Sequence, residues 1–68
     1  MRTMMKRTEH FIGKYKVTLV YDDQGIIGAI IEGPRLSRAI YIALSEAISI
    51  RLPKPVRKFL ERHGFNIK

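Results

Sequence analysis

"GPRLSRAIYIALSEAISIRL", residues Gly33 to Leu52, is the stretch whose reading decides the fold of this chain. Gly33 suits the end of a strand. Pro34 suits the first position of a helix, where its fixed φ and missing N–H are harmless. Wound at about 100° per residue, Leu36, Ala39, Ile40, Ala43, Leu44, Ala47 and Ile50 fall on one face. Tyr41, Ile48 and Leu52 widen that apolar arc to about twice what a surface helix needs, and Arg38, Ser45, Glu46 and Ser49 are left for water. The expectation is a helix over about 34–52, with alanines at every fourth residue that permit close approach of another backbone.

Upstream, "KYKVTLVY" alternates: Tyr15, Val17, Leu19 and Tyr21 share one face, Lys14, Lys16 and Thr18 the other. That is the period of a half-buried strand. "DDQG" supplies turn formers, with Gly25 suited to positive φ. "IIGAIIEG" then reads as a strand apolar on both faces, whose second face needs its own cover. Gly28 inside it suggests a bulge or a close backbone approach. Residues 1–10, "MRTMMKRTEH", show neither period and read as a flexible basic arm.

Downstream, "LPKP" ends the first helix, because a residue before proline avoids helical geometry and proline donates no hydrogen bond. A second helix over about 55–63 carries Val56, Phe59 and Leu60 on its apolar side. Gly64 stands where a left-handed cap belongs, and "FNIK" reads as a short third strand or a docked end. The expected fold is α+β in a single domain, 1–68: a β-hairpin, about 14–32, packed on two helices, with a short C-terminal strand as an option.

With 68 residues and no cysteine, the chain has neither disulfides nor thiolate zinc sites to staple a small core. Self-association is the device that fits its 46% hydrophobic content, and a homodimer is expected through Ile26, Ile30, Tyr41, Ile48 and Leu52. The basic N-terminus lacks the apolar run of a signal peptide, and Leu36–Leu52 is too short to span a bilayer. A cytoplasmic protein without membrane contact is the expectation.

Thirteen Lys and Arg against six Asp and Glu leave a net charge of +7. Such a field attracts polyanions, nucleic acid first among them. Arg35 and Arg38, read as one turn apart at a helix N-terminus, oppose the helix dipole and invite an external phosphate, unless Glu32 or Glu46 satisfies them. Lys54, Arg57, Lys58 and Arg62 form a second cluster, and Lys14 and Lys16 are able to join either.

Chemistry has less to work with. His10 and His63 lack paired acids in sequence, Ser37, Ser45 and Ser49 lack a local base, and Asp22 and Asp23 sit in a turn where Asp is common for its own hydrogen bonding. "GIIG" lacks the lysine of a phosphate loop. No enzyme activity, cofactor, metal or small-molecule substrate is expected. The functional expectation is a non-catalytic nucleic-acid-binding protein that touches phosphate backbones. The alternative is a protein-interaction or assembly module whose positive charge serves solubility.

Two fragments resemble toxin–antitoxin families. "YKVTLVYDDQGIIGAII" is similar to the opening hairpin of HicB-type antitoxins, and "KFLERHGFNIK" resembles the helix–glycine–strand start of HicA-type toxins. The second lacks the downstream histidine of those toxins. What the pair of resemblances implies is a toxin–antitoxin-like partner under the alternative, and no activity.

Overall fold

The computed structural model describes residues 5–67, with the backbone alone at Ala47 and Ile48. Strands β1 (Lys6–Ile12), β2 (Tyr15–Asp22), β3 (Gly25–Glu32) and β4 (Ile40–Ala43) form one antiparallel sheet in sequence order. Strand β5 (Ala47–Ile48) then pairs in parallel with β6 (Asn66–Ile67), and helix α1 (Lys54–Arg62) lies between them in the chain. The expected hairpin on two helices is thus replaced by a four-stranded meander and a single short helix.

The registers sort the side chains. Opposite Tyr15, Val17, Leu19 and Tyr21 of β2 stand Ile12, His10, Thr8 and Lys6 of β1, and on the other flank Val17 meets Ile31, which meets Ile40. That inner face, with Ala29 and Ile42, packs against Val56 and Leu60 of α1 and against Phe65 and Ile67 to make the core. A register shift at Val20/Tyr21 pairs Tyr21 with Ile26 and leaves Ile27 without a ladder partner; the Ile27 carbonyl accepts the Leu44 N–H at 3.0 Å instead. Ile26 therefore turns toward the core rather than to the face shared with Ile30.

Residues 33–52 are not helical. The Leu36 N–H donates to the Gly33 carbonyl at 3.1 Å, so Pro34 occupies the second position of a β-turn, a place its fixed φ suits equally well. The chain then runs as a loop to β4, where Ile40 and Ile42 point inward and Tyr41 and Ala43 outward. The physical reason lies in Ile42. On a helix it falls between Ser49 and Glu46 in the strip reserved for water, yet in the fold it is 1% exposed. "AIYIAL" alternates as cleanly as it winds, its isoleucines are β-branched, and strand β3 has a free row of N–H and C=O groups that only another strand satisfies.

Lys6–His10, expected in the flexible arm, form most of the outer strand β1. Its inward positions are Thr8, His10 and Ile12, too polar to show an alternation. Lys6, Arg7 and Glu9 put charges on an edge strand, which discourages pairing with other chains.

Helix α1 begins after Pro53 with Pro55 inside its first turn, and no side chain caps it. Its end follows the sequence closely. Gly64 has φ +93°, its N–H donates to the Glu61 carbonyl at 3.1 Å, and the Phe65 N–H donates to the Leu60 carbonyl at 3.1 Å. These two bonds are a Schellman closure, and buried Phe65 supplies its hydrophobic contact. His63 Nδ1 donates to the Phe59 carbonyl at 2.8 Å, and the Phe59 ring centroid lies 4.5 Å from that of His63 and 5.0 Å from that of His10, which are 6.5 Å from each other. This cluster of three tilted rings ties the helix to β1. Among the described residues no helix is long and apolar enough to cross a membrane.

Candidate nucleic-acid interface

Because the β1–β2 turn, the β3–β4 loop and the approach to α1 meet at one end of the molecule, they enclose a concavity. Lys14, Arg35 and Arg51 line it, over a floor that includes Tyr15, Pro34, Leu52 and Pro53. Its volume of about 890 Å³ is within the range of small-ligand clefts. Among the described residues no carboxylate contributes to its lining. Tyr15 is buried there with its ring laid on Gly33, where a Cβ would collide with it. Three cations thus face one opening.

Lys54, Lys58 and Arg62 are exposed on the solvent side of α1, opposite buried Val56 and Leu60, and half-buried Arg57 stands at its flank. Lys54, Lys58 and Arg62 succeed one another at four-residue spacing, a like-charge row that disfavours the helix by a few tenths of a kcal/mol per pair. The first turn holds no acid. Glu61 is the one carboxylate on this face.

The expected sites are partly regrouped. Lys14 and Arg35 come together, whereas Arg38 is exposed in the β3–β4 loop away from the groove lining. Neither arginine stands on a helix, so the dipole argument made for them does not apply. It passes instead to Lys54, at the start of α1. Among the described residues the ion pairs are those of Lys16, whose Nζ lies 3.5 Å from Glu9 and 3.3 Å from Glu32 on the outer face of the sheet. The hydrogen bond to Glu32, then the charges of Glu32 and Glu9, hold its pKa above the ordinary lysine value of 10.5. Lys16 is therefore engaged within the sheet, and Glu32 is not free for Arg35.

Sequence reasoning missed Arg51. It stands beside Leu52 and Pro53 in a segment read as the tail of a helix, and only the turn of the chain into α1 brings it into the groove that Lys14 also lines. Of the expected dimer contacts, Ile30 and Tyr41 lie on the outer face, Ile26 and Leu52 pack against the core, and the Ile48 side chain lies outside the described residues. Asp22, expected in a turn, accepts the Gln24 N–H at 2.8 Å. Comparison with protein-family models, curated proteins and solved structures finds no match, so residues and geometry carry the functional reading.

Proposed function

We propose that the protein binds nucleic-acid phosphate backbones without catalysis, through the Lys14–Arg35–Arg51 groove and the basic side of α1. The observation that carries this reading is the groove's lining, among the described residues, of three cations and no carboxylate. Guanidinium forks match phosphate oxygens in pairs, and an ammonium acts as a point charge beside them. The like-charged row on α1 continues the same sign of potential, and a polyanion relieves its repulsion. Phosphate contact of this kind is indifferent to base identity and falls steeply with salt.

The test is a salt titration of binding to duplex DNA and to RNA. With about six contacts, log affinity falls with log salt at a slope near −5 for duplex DNA. Replacing Lys14, Arg35 and Arg51 with glutamine reduces that slope by roughly three contacts' worth, and Lys16→Gln barely changes it. Absence of binding at low salt, or an unchanged slope in the triple variant, rejects the reading.

A second reading, an assembly module whose charge keeps it soluble, draws on the exposed Phe11 and Tyr41 of the sheet.

A further inference from the structure

The inner face of the sheet is covered by α1 and β6, whereas its outer face has no layer above it among the described residues. Phe11 on β1 is 73% exposed and Tyr41 on β4 is 54% exposed, at opposite edges of that face. Between them lie half-buried Ile30 and, sunk among their neighbours at 6% and 3% exposure, Thr18 and Val20, with the Tyr41 ring resting against Gly28. Such a surface combines a flat backbone with aromatic side chains, and two occupants suit it: bases of a single strand, or a second sheet.

Charge separates the two. The chain carries +7, yet this face holds Arg7, Lys16 and, at its end beside Phe11, Lys14 against Glu9, Asp22 and Glu32, three cations to three acids. Half of the acids in the chain thus stand on the one surface with no basic excess, and Lys16 is already held by Glu9 and Glu32. A polyanion gains nothing there. A second copy of a chain with this net charge meets least repulsion on the face that has no basic excess. We infer that two copies of this chain stack through the outer faces of their four-stranded sheets, with Phe11, Ile30 and Tyr41 as the apolar contact.

The face also complements itself. Arg7 and Glu9 are neighbours on the outer side of β1. A two-fold axis lying between the sheets, across the strands and midway between Thr18 and Val20, brings β1 over β1 and sets Arg7 of each copy against Glu9 of the other. Strands of seven, eight, eight and four residues, at about 3.4 Å per residue and 4.8 Å per strand, give each sheet face roughly 440 Å². Two such faces amount to at most about 880 Å², at the low end of specific interfaces, so the dimer is a weak one that concentration must reveal.

Sedimentation of the full chain from about 5 to 500 µM tests the inference over the expected range. The wild type shifts from monomer to dimer. Phe11→Glu weakens association at least tenfold, while its far-UV spectrum and its thermal transition at low concentration stay those of the wild type, because the side chain is exposed. Glu9→Arg weakens it likewise, and Arg7→Glu combined with Glu9→Arg restores it. A wild type that stays monomeric throughout overturns the inference, as does a dimer indifferent to Phe11→Glu. Loss of single-strand binding in a monomeric Phe11→Ser/Tyr41→Ser variant overturns it in favour of base stacking. The groove reading is scored separately, by the salt slope of Lys14, Arg35 and Arg51.

Discussion

Tyr41 lies across Gly28: the ring of one strand rests on the bare backbone of the next, where any Cβ on Gly28 would collide with it. Glycine inside a strand costs about 0.5–1 kcal/mol of backbone entropy relative to alanine, and the tyrosine seated on it recovers apolar contact in exchange. Gly28→Ala is therefore expected to destabilise the protein by about 1 kcal/mol with Tyr41 present, through the displaced ring. In a Tyr41→Ala background the same change becomes neutral or stabilising. Urea unfolding of the four proteins in a double-mutant cycle reads the coupling, and a Gly28→Ala effect independent of Tyr41 refutes it.

Ile42 separates the strand from the helix that the sequence also permits. Buried at 1% exposure in the core, it is expected to cost about 2–5 kcal/mol when cut to alanine. Ile30, half-buried on the outer face, is expected to cost less than half as much in dilute solution. Chemical denaturation of Ile42→Ala and Ile30→Ala measures both, and equal losses contradict the assignment of faces.

The helix end depends on Gly64 at φ +93°. A side chain there strains the left-handed backbone by about 1–2 kcal/mol, so Gly64→Ala should lower the thermal midpoint. Gly64→Asn should lower it less, because asparagine tolerates that region better. Calorimetry that ranks alanine at or above asparagine disproves the capping role.

Lys16 links stability to alkaline pH. Its folded-state pKa is raised by Glu32 first and then Glu9, so its ion pairs contribute fully below the ordinary lysine value of 10.5 and are lost as pH rises through the higher folded-state value. Lys16 keeps 30% of its side chain open to solvent and its partners Glu9 and Glu32 more, so the effect is small and screened by salt. Urea midpoints at about pH 8 and pH 12 should fall further for the wild type than for Lys16→Met, with the difference shrinking at high salt. Parallel falls exclude the linkage.

Local signals in the sequence marked several features that the fold contains. The alternation from Tyr15 to Tyr21 and the glycine turn at Gly25 describe β2, its turn and the start of β3. The Val56, Phe59 and Leu60 stripe with Gly64 behind it describes α1 and its end. Each signal is read within one element, from bonds and contacts made by residues a few positions apart.

The candidate site was less legible. Lys14 and Arg35 were each visible as exposed cations, but their meeting with Arg51 depends on three loops that only the assembled sheet brings to one end. Arg35 and Arg38 stood out because a helix was expected beneath them. With a β-turn there instead, Arg35 keeps a site by position and Arg38 does not.

By itself, therefore, the sequence determined the central hairpin, the amphipathic helix with its glycine cap, and the strong positive charge, because periodicity, turn chemistry and composition are local properties. The tertiary structure decided that residues 40–43 extend rather than coil, that Lys6–Ile12 join the sheet, and that Arg51 lines one groove with Lys14. Within "AIYIAL" only Ile42 fits the helical period poorly. One residue does not decide between the periods; the unpaired edge of β3 does, since backbone groups that a helix would satisfy internally are needed there to complete the ladder.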